Sequence, residues 1–334
     1  MREPTARMAG LDVLRGIAIA LVMLRHALPT VFPGAGVVGV VMFFALSGYL
    51  ITGVLLGEIE RTGTVDLRRF YVRRARRLVP ALVALVAGVV IVTLAVDPLD
   101  DRDQLVKTVL VALTWTGNLP FGHASEATFH LWTLATEEQF YLFWPAVLAL
   151  AAARQRVGAA LVLAATACTV ACVATVLWLR EAPDLAYSLP TSWALCFVIG
   201  ASTRILQHRL CVPPLLVMPS LAALGVLSVI PLRGHALTYL AGGPAIAALT
   251  AVLLVSWCTW RDVSTPWLRA LAWLGTVSYG AYLWNYPLTL WLRPSWGELA
   301  GPSAMALTVV AAAASWHVVE RPVQHRRAPE PARP

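Results

Sequence analysis

Charged residues are scarce in this sequence: Asp, Glu, Lys and Arg make up 13% of its 334 residues, against roughly 25% in a soluble domain. With 58% of residues apolar, too little polar surface remains to coat a water-soluble body, so the bilayer is the solvent. Familiar catalytic and metal signatures are missing as well. Cys168, Cys172, Cys196, Cys211 and Cys258 form no CxxC or Cys/His metal spacing, so they read as packing residues and no metal site is expected. No P-loop, GxGxxG or HExxH pattern occurs. Ser47 in FFALSGYLIT lacks the glycine two residues earlier that GxSxG requires, and small residues that permit close helix packing account better for that segment. No repeat of fixed period is evident, and low complexity is confined to a short Pro/Arg-rich tail after Val323.

What the chain does contain is a series of apolar runs near bilayer length. These predict an all-α polytopic membrane bundle of about ten transmembrane helices, at 11–32, 36–57, 79–96, 130–152, 157–179, 189–206, 213–231, 236–258, 267–292 and 302–319. They form one domain over 1–322, followed by a disordered cytosolic tail over 323–334. The first run carries Asp12, Arg15, Arg25 and His26 and is long for a signal sequence, so it is expected to stay in the mature protein. The apolar stretch Gln104 to Pro120 is short and ends in Gly117, Asn118 and Pro120, which reads as a re-entrant or interfacial segment. Between 58 and 78 lie Arg61, Arg68, Arg69, Arg73, Arg74, Arg76 and Arg77, whereas Asp97, Asp100, Asp101 and Asp103 follow the third run. That asymmetry orients the chain in the cell inner membrane with both termini cytosolic. The net charge of +8 is then a matter of topology and lipid headgroups, and no nucleic-acid partner is implied.

Two segments place ionisable residues where hydrocarbon should be, and a third gathers them at the membrane surface. Arg15 and His26 are eleven residues apart on the first helix, three turns plus roughly 20°, so they share a face and lie roughly 16 Å apart along the axis. Snorkelling and helix packing compete there with a functional role, and an imidazole suits removal of a proton from a hydroxyl near neutral pH. His130, Thr133, Glu137 and Tyr141 form a second stripe with Glu138 beside it. Such carboxylates either pair with an arginine elsewhere, orient His26, or line an acceptor site. LRRFYVRRARRLVPAL has Leu67, Tyr71, Ala75 and Leu78 at helical spacing and is expected to lie as an amphipathic helix on the cytosolic surface. Beyond a topology signal, its Arg73, Arg74, Arg76 and Arg77 are dense enough to hold several phosphate oxygens.

Together LDVLRGIAIALVMLRHA, GVVGVVMFFALSGYLIT, FYVRRARRLVPAL, HLWTLATEEQFYLFWP, LGTVSYGAYLWNYPL and the closing VVERP around Glu320 resemble, in order from Leu11 to Pro322, the acyltransferase 3 family of bacterial membrane O-acyltransferases. The resemblance implies cytosolic acyl-CoA, acetyl-CoA in the first instance, as co-substrate with no permanently bound cofactor. It makes His26 the general base, Glu137 and Glu138 required catalytic-site residues, and Arg15, Tyr71, Arg73, Arg74, Arg76 and Arg77 donor contacts. Arg25, His130, Tyr141 and Asn285 are acceptor-site candidates. Two positions depart from the family pattern. Asn285 stands in WNYP where histidine is usual, which puts proton transfer there in doubt, and Arg25 precedes His26 where an apolar or aromatic residue is commoner. No hydrolase-like domain follows the membrane core, which shifts the expected acceptor toward a glycan precursor, glycolipid or glycosylated metabolite. The partners implied are acyl-CoA, a sugar-containing hydroxyl acceptor, the lipid bilayer and, in principle, a second copy of the chain. A transporter or flippase of a lipid-linked or small glycoside is the competing class, because charged stripes also mark transport pathways; the sequence shows no paired half-motifs of the kind that inverted repeats leave.

Overall fold

The computed structural model describes residues 8–119 and 124–325, all helix and connecting turns with no strand among them. Residues 1–7, His123 and most of the expected disordered tail, 326–334, lie outside the described residues. Among the described residues there are thirteen α-helices: α1 Ala9–Ala27, α2 Ala35–Thr62, α3 Leu67–Ala95, α4 Leu105–Leu113, α5 Trp132–Ala153, α6 Val157–Trp178, α7 Ala194–Leu206, α8 Val217–Ser228, α9 Gly243–Trp257, α10 Pro266–Thr276, α11 Ser278–Trp296, α12 Ala300–Ser315 and α13 Arg321–His325.

Five helical segments among the described residues are long and apolar enough to cross a membrane: Ala35–Thr62, Leu67–Ala95, Val157–Trp178, Thr238–Trp257 and the run Ser278–Val323. α1, with Asp12, Arg15 and Arg25, and α5, with Glu137 and Glu138, carry the ionisable residues singled out above and fall outside that set. A membrane setting accounts for the outer surface, where Ile91, Val106, Phe143, Leu163 and Leu177 are exposed. In water such a contiguous apolar surface would be unfavourable; in lipid it is the solvated face.

Several expected boundaries move, each for a local reason. The first helix stops at Ala27 instead of 32, because Pro29 lacks an N–H and pushes Leu28 out of the helical region, to φ −130 and ψ 63. The basic surface helix and the third span are one continuous helix, α3, which tolerates Pro80 within it. The expected helix over 189–206 begins only at Ala194, after two 3-10 turns that open with Pro183 and Pro190. The expected span 267–292 is broken at Val277 into α10 and α11. α4 has nine residues, about 14 Å of helix, half of a bilayer's hydrocarbon thickness. α13 runs through His325, so the first residues of the expected tail are helical.

Glycines let the central helices approach closely. A Cβ on Gly16 would run into the Leu271 backbone, and one on Gly275 into the backbone of Asp12 and Gly16, so α1 and α10 cross backbone to backbone. Gly48 and Gly200 do the same for α2 and α7. Without a hydrophobic drive between helices in lipid, such contacts supply the dispersion energy. Phe44, Phe197 and Phe140 stack behind the second crossing at 4.5 and 4.7 Å between ring centres. Buried hydroxyls on the helices, among them Thr203, Thr250 and Thr308, are satisfied by donating to the carbonyl four residues back.

Candidate functional site

Among the described residues α1 contributes to two adjoining cavities. The first, of about 240 Å³, is lined by Arg15 of α1, Ser47 of α2, Arg74 and Arg77 of α3, Glu137 and Tyr141 of α5, and Tyr279 of α11, among others. The second, of about 160 Å³, is lined by Arg25, His26, His130, Tyr286, Arg233 and Arg293, among others. Val40, Thr133 and Tyr282 line both. Between the cavities Thr133 Oγ1 and the Tyr282 hydroxyl are 2.5 Å apart, and Tyr282 also donates to the His130 carbonyl at 2.8 Å. That pair is the wall where the two spaces meet.

In the first cavity the polar side chains form a closed set. Ser47 and Tyr141 both donate to Oε1 of Glu137. Glu138 Oε1 accepts from Arg74 Nη2 at 2.8 Å, and the Arg74 guanidinium lies 3.4 Å from the centre of the Tyr141 ring. Arg74 Nε is buried with no hydrogen-bond partner among the described residues. Arg77 is near enough to Arg15 and Arg74 to feel their charge. Arg15 itself reaches Asp12 at 3.4 Å.

The continuity of α3 decides which members of its arginine cluster face inward. At about 100° per residue, positions 74, 77 and 78 share a face, 73 borders it beside 77, and 76 turns away. Arg73 is half exposed and meets Glu58 at 3.4 Å; Arg76 and Arg77 are both exposed, but Arg77 lines the first cavity and Arg76 lines neither. Tyr71 donates its hydroxyl to the Leu142 carbonyl at 2.8 Å, docking α3 on α5 outside the cavity. Of the expected donor contacts, the structure therefore brings Arg15, Arg74 and Arg77 together and leaves Tyr71, Arg73 and Arg76 elsewhere.

In the second cavity a relay fixes the imidazole of His26. Thr308 donates its hydroxyl to the Ala304 carbonyl at 2.6 Å, so its oxygen accepts from Asn285 Nδ2 at 3.1 Å. The amide oxygen of Asn285 is then turned to His26 Nδ1, 2.6 Å away. An amide oxygen only accepts, so the proton is on Nδ1 and the lone pair is on Nε2. Neither glutamate bonds to His26. Glu137 is on α5, whereas His130 lies in the 3-10 turn Glu126–Leu131 that leads into it, and Glu137 lines the other cavity. The expectation that Glu137 or Glu138 orients His26 is thus replaced by Asn285, and Glu138 takes the ion-pair alternative. His130 holds its ring with Nε2 at 3.1 Å from the Leu283 carbonyl, leaving Nδ1 without a partner among the described residues. The Tyr286 ring lies 5.0 Å from that of His26 and 5.3 Å from that of His130.

Sequence reasoning missed Tyr282, Tyr286, Arg233, Arg293 and the bond made by Ser47. Gly48 performs the packing expected of that segment, while Ser47 points into the cavity. A signal for α11 was present, since Tyr279, Tyr282, Tyr286 and Arg293 recur at helical spacing within one apolar run. Among the described residues no group of three or more His, Cys, Asp or Glu lies together as a metal site would require.

A family model described as an acyltransferase domain matches residues 8–319. YrhL of Bacillus subtilis, provisionally named a peptidoglycan O-acetyltransferase, is 30% identical over an alignment covering 94% of this chain and 54% of the relative. Peptidoglycan O-acetyltransferase OatA of Listeria monocytogenes is 27% identical, with 94% of this chain and 55% of the relative covered. A Staphylococcus aureus protein provisionally named an O-acetyltransferase is 37% identical over 42% of this chain and 24% of its own. The chain spans about half the length of the first two relatives. No solved structure gives a significant match.

Proposed function

The chain belongs to the acyltransferase 3 family of membrane acyltransferase domains, and from that premise we propose that it transfers an acetyl or other short acyl group from cytosolic acyl-CoA to a hydroxyl of a sugar-containing acceptor. The observation that carries this reading is the meeting of two unlike cavities at Thr133 and Tyr282. One offers Arg77, with Arg15 and Arg74 beside it paired to Asp12 and Glu138, for the phosphates of a nucleotide donor. The other offers an imidazole whose free Nε2 is held in place from behind.

The thioester of the donor reaches the neck from the arginine side, and the acceptor hydroxyl approaches from the His26 side. His26 Nε2 takes the hydroxyl proton as the oxygen attacks the thioester carbon, so that a C–O bond forms and the C–S bond breaks. The imidazolium then returns the proton to the leaving thiolate. Asn285 keeps Nδ1 protonated throughout, a positioning role in which an amide serves because only acceptance is needed. Direct transfer is favoured over an acyl-enzyme, because Ser47 donates to Glu137 and is not bonded to a base of the second cavity. The remaining roles follow from location: Glu137, Ser47 and Tyr141 shape the donor cavity, and Arg25, His130 and Tyr286 the acceptor cavity.

We place the chain in the cell inner membrane with about ten spans and both termini cytosolic, on the strength of the arginines in the first turns of α3 and the aspartates after it. In that orientation the arginine cavity opens toward cytosolic acyl-CoA. The test is acceptor-dependent release of free thiol from acetyl-CoA and propionyl-CoA by the purified protein in lipid nanodiscs, over a panel of sugar and glycoside acceptors, with acetyl phosphate as a control donor. Thiol release that requires both acceptor and His26 supports the reading. Acceptor movement across proteoliposomes without thiol release would replace it with transport.

A further inference from the structure

The second cavity holds more positive charge than general-base chemistry requires. Arg25 of α1, Arg293 of α11 and Arg233 from the loop after α8 all line it, and the charged groups that Arg25 feels are the other two arginines. Among the described residues neither Arg25 nor Arg293 forms an ion pair. Arg233 meets Asp184 at 3.7 Å, both side chains being at least half exposed. The other carboxylate nearby is Glu126, exposed and on the Tyr286 side. Three guanidiniums thus converge with one loosely held counter-charge of their own.

Their placement is specific. The Arg293 Nη2 donates to the His26 carbonyl at 3.3 Å, which ties a guanidinium to the residue carrying the base. Arg233 lies over the Tyr187 ring at 4.7 Å and near the Phe129 ring at 5.6 Å, held by aromatic faces and free to donate at its edge. The stem of Arg25 fills the space left by Gly36, where a Cβ would come within 2.9 Å of Arg25 Cγ. Arginines supported by apolar and aromatic contacts, with Arg293 giving one nitrogen to the His26 carbonyl and Arg233 one to Asp184, keep further N–H groups for a planar or tetrahedral oxyanion.

Resting on the acyl-transfer reading, we propose that the acceptor is anionic: a sugar bearing a carboxylate or phosphate, whose charged group is gripped by Arg25, Arg233 and Arg293 while its hydroxyl is presented to His26. The anion neutralises the arginines and fixes which hydroxyl reaches Nε2. A neutral glycoside lacks that anchor.

Matched acceptors test this in nanodiscs with saturating acetyl-CoA: N-acetylglucosamine as the neutral parent, its 1-phosphate, and its 3-O-lactyl ether, which adds only a carboxylate. The charged members should have an acceptor KM roughly ten-fold or more below that of the parent. Arg293→Gln and Arg233→Gln should each remove most of that advantage, read as the ratio of the KM of the charged sugars to that of the neutral parent measured with the same variant. Arg25→Lys, which keeps the charge on a narrower head, should retain part of it, and serves if Arg25→Gln fails to fold. Preference for the phosphate or for the lactyl ether separates the two sources of negative charge. Equal use of all three acceptors, with thiol release intact, would overturn the anionic acceptor and leave acyl transfer standing. Arginine-dependent binding of the charged sugars, measured by protection of the second cavity from labelling, with no thiol release from any acceptor, would support the anion site and remove the acyl-transfer reading.

Discussion

Replacing Asn285 with Leu keeps the side-chain volume and deletes the acceptor that holds His26. Asn285 is 1% exposed, so water does not take its place. The Nδ1–H of His26 is left without its side-chain partner, and an unsatisfied buried donor costs about 1–3 kcal/mol. The ring avoids that cost by turning or by carrying its proton on Nε2, and either change withdraws the lone pair from the acceptor hydroxyl. A penalty of this size corresponds to a kcat lower by about 5- to 150-fold, generally less than the 10²- to 10⁴-fold expected for loss of the base in His26→Ala. Because the acyl-CoA contacts lie in the other cavity, KM for acyl-CoA should stay within about two-fold. Asn285→Asp restores an acceptor for Nδ1–H and should recover part of kcat. It should also lower thermal stability, since the Thr308 hydroxyl is already donated to Ala304 and the second carboxylate oxygen gains no donor there. Thiol release in nanodiscs and thermal unfolding read these quantities. A folded Asn285→Leu protein with near-native turnover, or Asn285→Asp no better than Asn285→Leu, would refute the positioning role.

Arg77→Gln should weaken acyl-CoA binding roughly ten-fold by calorimetry, whereas Arg76→Gln, on the face turned away from the cavity, should change it less than about two-fold; equal losses would restore a role for the whole cluster. Glu138→Gln strips Arg74 of its carboxylate and should destabilise the purified protein by about 1–3 kcal/mol, below the range for a fully buried pair because both side chains are part-buried, and an unchanged thermal midpoint would show that the pair is dispensable. Gly275→Val forces a side chain into the Asp12 backbone and should cost about 3 kcal/mol or prevent folding, while Gly57→Val, with open space at its Cβ, should be tolerated; similar survival of both in detergent would contradict the α1–α10 crossing. With native cysteines removed, Asp100→Cys should react with an impermeant label from outside the cell and Arg154→Cys should not; labelling of the latter would invert the later helices.

The sequence by itself determined the solvent, the helical class and the lines of side chains that share a helix face. Hydropathy and the helical repeat are local properties, which is why Arg15 and His26 could be assigned to one face, and why His130 and Glu137 to another. It also carried the family, since six motifs in order need no coordinates to be compared. Tertiary structure decided everything that depends on which helices touch. His26 and Asn285 are 259 positions apart, Ser47 and Glu137 are 90 apart, and no periodicity relates residues on different helices. Two adjacent carboxylates looked equivalent along α5, yet Glu137 faces Ser47 and Tyr141 while Glu138 meets Arg74, because a step of about 100° points neighbours at different partners. The arginine cluster divided for the same reason once α3 proved continuous. Even the amide at Asn285, whose place in the motif argued against proton transfer, acquired its role only from Thr308 behind it and His26 in front: a hydrogen bond has a direction, and only packed neighbours can set it.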